Sequence, residues 1–148
     1  MYVDPRGPRF AAVLTVVVLA AVLITESPAL LAAQAVVFGI GAGFGLAASP
    51  YGWIFRVAVR PRLAPPSELE AEAPPRFAQA VGLVFALVGL VGFATGAAWL
   101  ALVAVGAALA AAFLNAAFGF CLGCEIYLLV RRATGRATER AVPAPTPV

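Results

Sequence analysis

The sequence predicts an all-α integral membrane protein: a four-helix bundle, both termini cytoplasmic, with the last span broken before a short interfacial helix. Three observations carry this. Of 148 residues, 63% are hydrophobic and only 11% charged, too little polar surface for a water-facing globule. The stretches 10–25, 27–55 and 77–124 contain no Asp, Glu, Lys or Arg, and about 20 apolar helical residues cross a bilayer core. All ten basic residues are arginines, and they cluster on one side of the predicted spans.

Span 1 is expected over about 9–25, with Arg9 snorkelling. Ser27 and Pro28 then suit the N-cap and first position of a second helix, expected over about 28–48. Tyr51, Trp53 and Phe55 read as an interfacial aromatic belt. The stretch 57–76 is rich in proline and reads as a loop with at most one helical turn over 68–73, where Ser67 and Glu70 have capping-box spacing. Span 3 covers about 76–95, Gly96 makes a tight turn, and span 4 covers about 98–117. These elements form one membrane domain over 1–132, followed by a proline-rich tail at 133–148 expected to be disordered.

Orientation follows from the arginines. Arg6 and Arg9 precede span 1. Arg56, Arg60, Arg62 and Arg76 lie between spans 2 and 3, and Arg131, Arg132, Arg136 and Arg140 follow span 4. The opposite side carries only Glu26, so the arginine side is cytoplasmic by the positive-inside rule, and the chain is expected in the cell membrane. A cleavable signal ending at Ala33-Gln34-Ala35 is the weaker reading, because the apolar run continues straight through it. The arginines flank membrane segments and do not form an aqueous basic face, which argues against nucleic-acid binding.

From 97 to 130 the chain is apolar except for Asn115 and Glu125. One helix of that length would reach about 50 Å, well past a bilayer core. A break at Phe118-Gly119-Phe120, with Gly123 adding flexibility, leaves an interfacial helix over about 121–132. Glu125 favours that placement, since a charge at mid-membrane costs about 2.5–3.5 kcal/mol even on lenient scales. Cys121, Cys124, Glu125, Leu128 and Arg132 then share one helical face.

The only two cysteines form a Cys-x-x-Cys. At a helix start such a pair closes a disulfide easily, and the helix dipole and free amides favour a Cys121 thiolate as the attacking sulfur, with Cys124 resolving. Glu125 could shuttle a proton, and Asn115 lies near enough to support the pair. The plainer alternative is two small, soft residues packed in a helix. Two thiolates and one carboxylate leave a zinc ion short of ligands, so neither a metal nor another cofactor is expected. Gln34, Gln79 and Asn115 fit interhelical hydrogen bonding better than a substrate path. The small-xxx-small pairs Gly39/Gly43, Gly41/Gly45 and Gly92/Gly96 favour close helix packing and leave a homo-oligomer open.

The segments 3–10, 60–66 and 74–79, and above all Ala112-Phe-Leu-Asn115-Ala-Ala-Phe-Gly-Phe-Cys121-Leu-Gly-Cys124-Glu125-Ile-Tyr127, resemble a bacterial four-span membrane family known as a domain of unknown function. The likeness covers about residues 3 to 132. It implies that Asn115, Cys121, Cys124 and Glu125 belong to the family pattern, and that the work concerns thiols or sulfur beside thioredoxin-like or sulfurtransferase proteins. The function expected is therefore a membrane thiol–disulfide or sulfur-relay protein, with lipid bilayer and such a soluble protein as partners. A permease subunit for a small sulfur species and a non-catalytic scaffold are the alternatives, so enzyme status stays open between them and a thiol–disulfide oxidoreductase.

Overall fold

The computed structural model describes residues 1–135 and 142–143. Strand β1 (Tyr2–Val3) leads into α1 (Arg6–Thr25), and α2 (Pro28–Gly43) follows a two-residue turn. A short α3 (Pro50–Ile54) continues as a π-helical segment (Phe55–Val59) and a 3-10 turn (Arg60–Arg62). Then come β2 (Glu68–Ala71), α4 (Ala73–Ala94), α5 (Ala98–Phe118), α6 (Leu122–Ala133) and β3 (Val142–Pro143).

Helices α1, α4 and α5 are long and apolar enough to cross a membrane, while α2, at 16 residues, is shorter. The four close into a ring in which α1 packs on α2 and α5, and α4 packs on α2 and α5. Leu19 and Val22 of α1, Leu31 and Phe38 of α2, Ala86 of α4 and Val105 of α5 meet at its centre. Small side chains on α4 and α5 bring these helices close, and large ones from α1 and α2 fill the space, as dense packing requires. Outward residues such as Val17, Val84 and Val103 stay exposed, as expected of helices whose outer faces meet lipid.

The expected α2 start is realised: the Ser27 hydroxyl accepts the Leu30 N–H at 3.2 Å, with Pro28 in the first turn. Its expected end is corrected from 48 to Gly43. Gly45 adopts φ +96°, and a Cβ there would sit 2.6 Å from the Glu72 carboxylate. That carboxylate, buried at the start of α4, accepts the Leu46 N–H at 3.0 Å. A distant acid thus turns the chain where apolarity alone would continue the helix.

The loop expectation is also revised. Residues 55–62 are helical, and 68–71 form a strand where a helical turn was expected. β2 pairs antiparallel with β1 (Tyr2↔Ala71, Val3↔Glu70) and with β3 (Glu68↔Pro143, Leu69↔Val142), so the fold is helical with one small sheet. The aromatic belt is only partly outward. Trp53 is exposed, Phe55 is buried, and Tyr51 turns inward to donate to Gln34. Most of the tail expected to be disordered, 136–141 and 144–148, lies outside the described residues.

Two arginines tie the ring together. Arg76 donates from Nε and Nη2 to the Ala42 carbonyl (3.1 and 2.9 Å) and from Nη2 to the Gly43 carbonyl (2.7 Å). Arg9 donates to the Ala116 and Ala117 carbonyls at 3.1 and 3.2 Å. Each guanidinium satisfies the open carbonyls, and sits at the negative dipole end, of a helix antiparallel to its own.

Candidate functional site

The break expected after α5 is present. α5 stops at Phe118, Gly119 takes the left-handed conformation (φ +67°), and its N–H returns to the Asn115 carbonyl at 3.0 Å. Glycine adopts that conformation without a Cβ penalty. Two residues later the chain is extended at Cys121 (φ −86°, ψ 101°), which is the N-cap of α6.

Cys121 therefore stands at a true helix start. Its Sγ accepts the Cys124 N–H at 3.3 Å, the bond that a serine or aspartate cap would take. The two sulfurs are joined as a disulfide across a Cα–Cα distance of 5.2 Å, inside the usual range for such bridges. A thiolate at Cys121 would keep the same amide donor and meet the positive end of the helix dipole.

Gly123 holds this helix start against α4. A Cβ there would lie 2.7 Å from the Ala78 Cα and Cβ, so its role is close approach rather than the flexibility expected of it. One turn on, the Tyr127 and Phe77 rings lie 5.7 Å apart. Arg131 sits over the Tyr127 ring at 5.6 Å and donates to its hydroxyl at 3.0 Å. The packed face of α6 is thus Gly123, Tyr127 and Arg131, and the half-buried cysteines lie at its edge.

Asn115 and Cys121 line a common cavity of about 270 Å³ between α1, α4, α5 and α6, with Thr15 and Gln79 also on its wall. The rest of that wall is mainly apolar. Glu125 does not join them. It is exposed in the first turn of α6, where its charge suits the dipole, and its carboxylate makes no hydrogen bond or ion pair among the described residues. Among the described residues no group of three His, Cys, Asp or Glu gathers that could hold a metal ion. Gln34 is separate from the cavity. It is sealed in the bundle between Thr15 (3.5 Å) and the Tyr51 hydroxyl (2.6 Å), the interhelical bonding expected of it.

Sequence reasoning missed the helix-capping roles of Arg9 and Arg76, which it used for orientation and, for Arg9, as a snorkelling end of span 1. Their signal was present: Pro8-Arg9-Phe10-Ala11 recurs as Pro75-Arg76-Phe77-Ala78.

The fold and the cysteine cap define a small helical-bundle protein with three helices able to cross a membrane and a disulfide whose Cys121 lines a cavity. The chain belongs to the family described as Domain of unknown function (DUF4395), whose model matches residues 3–132. No curated protein and no solved structure matches it.

Proposed function

We propose that the chain is a multi-pass cell-membrane protein with four spans and both termini in the cytoplasm, whose Cys121–Cys124 pair exchanges electrons or sulfur with a cytoplasmic thioredoxin-like or sulfurtransferase protein. Topology is supported by the arginines. Arg9 and Arg76 at the starts of α1 and α4 bond the ends of α5 and α2, which fits one basic end of the bundle at the cytoplasmic surface. Glu26 falls in the α1–α2 turn, at the opposite helix ends.

The observation that carries the chemistry is the Cys121 sulfur at the α6 N-cap, bonded by the Cys124 amide. In the proposed exchange, a partner thiolate attacks Cys121 Sγ. The Cys121–Cys124 bond breaks, and Cys124 leaves as a thiolate that takes a proton from water. A second partner thiolate then attacks the partner's sulfur in the mixed disulfide and releases Cys121 as the stabilised thiolate. Two electrons pass from the partner dithiol, which becomes a disulfide, to the cysteine pair. Asn115 lines the same cavity as Cys121, which supports a role in hydrogen-bonding a species held beside the sulfur.

The test runs the exchange in reverse: in cells expressing Cys124→Ser, the Cys121 thiolate attacks a partner disulfide with no Cys124 to resolve it, and the mixed disulfide at Cys121 is sought by mass. Capture of a thioredoxin-like or sulfurtransferase protein is expected. No trapped partner, together with an unaltered phenotype for the double serine variant, overturns the reading. The cavity beside Cys121 favours a second reading, a permease subunit for a small sulfur species. Flux of such a species into proteoliposomes, independent of any soluble protein, would select it.

A further inference from the structure

The two Pro-Arg-Phe-Ala segments belong to a larger repetition. Each opens a long helix with its arginine at the fourth helical position, and each arginine caps the second helix of the other half. Each phenylalanine meets an aromatic ring six residues past the N-cap of the short helix that follows a break. Phe10 and Phe55 lie 5.8 Å apart at 43°, and Phe77 and Tyr127 lie 5.7 Å apart at 48°. Each break carries a left-handed glycine, Gly45 or Gly119. The two N-caps, Ser49 and Cys121, are both extended. The two halves of the chain share these features, and Ser49-Pro50-Tyr51-Gly52 opens the short helix of the first half as Cys121-Leu122-Gly123-Cys124 opens that of the second.

The relation extends to the cavities. Pro75 and Ala78 wall the cysteine cavity together with Cys121, and Ala11 walls a second cavity, of about 330 Å³, together with Ser49; Pro8 and Gln79 line both. The chemistry differs. Ser49 is only 5% exposed, and its hydroxyl caps nothing although it lines the space. Arg56 and Arg60, one turn apart, stand on the wall and are exposed, and neither side chain makes a hydrogen bond or ion pair among the described residues. The acid on that wall, Asp4, is bonded by Arg6 through Nε and Nη2, the latter at 2.7 Å, and feels the Arg60 charge only at a distance, so cationic charge exceeds acid on this wall.

We propose that this first-half cavity is a second site, sister to the cysteine cavity, that takes an oxyanion of the phosphate type on Arg56 and Arg60 with the Ser49 hydroxyl as a further donor. Arginine forks match such oxygens two at a time, and the apolar wall (Val3, Leu46, Phe55, Leu69) also admits the first carbons of a lipid bearing that group. A free anion and a lipid headgroup share this chemistry. The site is independent of the thiol reading.

The test uses the full chain in detergent, titrated calorimetrically with inorganic phosphate, dioctanoyl phosphatidylglycerol and phosphate-free dioctanoylglycerol. Saturable binding of a phosphate-bearing ligand is expected, and none of dioctanoylglycerol. Affinity should fall about tenfold or more in Arg56→Gln/Arg60→Gln, severalfold in Ser49→Ala, and not at all in Arg132→Gln on the exposed end of α6. Binding of inorganic phosphate assigns a free anion, and binding of the phospholipid alone assigns a headgroup. The proposal is overturned if neither binds saturably, or if the double variant binds as the parent does.

Discussion

Tyr51 donates its hydroxyl to the Gln34 Oε1 at 2.6 Å, and Gln34 in turn faces the Thr15 hydroxyl at 3.5 Å. One short chain of polar contacts so joins α1, α2 and α3 inside an otherwise apolar ring. Tyr51→Phe strands the Gln34 oxygen, which is 1% exposed as a residue, and should destabilise the protein by about 1–2 kcal/mol. Thermal unfolding in detergent checks this. The double change Gln34→Leu/Tyr51→Phe should recover part of the loss, because it leaves no buried group short of a partner. A single variant melting with the parent would show that the bond contributes nothing.

The arginine caps should behave as a pair. Arg76→Met removes three hydrogen bonds from the α2 end, and Arg9→Met removes two from the α5 end. Hydrogen bonds to charged groups contribute about 1.5–3 kcal/mol net and less where exposed, as at Arg9, so both variants should melt lower, Arg76→Met more so. Lysine at either position should restore only part, since one ammonium cannot reproduce the fork. Equal melting of Arg76→Lys and the parent would contradict the geometry.

Gly123→Ala tests whether α6 is clamped. The new methyl meets Ala78 backbone and side chain at 2.7 Å, so α6 must shift away from α4, at about 1–3 kcal/mol. After reduction, the rate of maleimide attachment at Cys121 and Cys124 should rise. Gly106→Ala on α5 changes a helical glycine with open space around it, and should leave the labelling rate alone.

Acid should weaken the N-terminal turn. Burial pushes the Asp4 carboxyl up, but the Arg6 hydrogen bonds and charge outweigh it, and the group sits below its ordinary 3.8. The contribution is therefore present above about pH 4 and lost as pH falls through the lowered value. Asp4→Asn should melt below the parent at pH 6, and the gap should narrow as the pH is taken down below the ordinary carboxylate range.

Most of the helical framework was legible because it rests on local signals: unbroken apolar runs, Ser27-Pro28 as a start, and Gly119 as a stop. The cysteine cap was legible for the same reason. What escaped depends on partners far away in the chain. The end of α2 at Gly43 needs Glu72, the strand at 68–71 needs Tyr2 and Val3, and the inward turn of Tyr51 needs Gln34. The packed side of α6 was not legible, because Gly123 carries no side chain to mark it, whereas Glu125 drew weight to residues beside it.

The shortness of α2 has a consequence for the surrounding lipid. At 1.5 Å per residue, its 16 residues reach about 24 Å, against about 30 Å of hydrocarbon. If α2 crosses the membrane as proposed, that shortfall would be met by local thinning of the bilayer beside it or by the Arg76 guanidinium reaching from the α2 terminus to the headgroups.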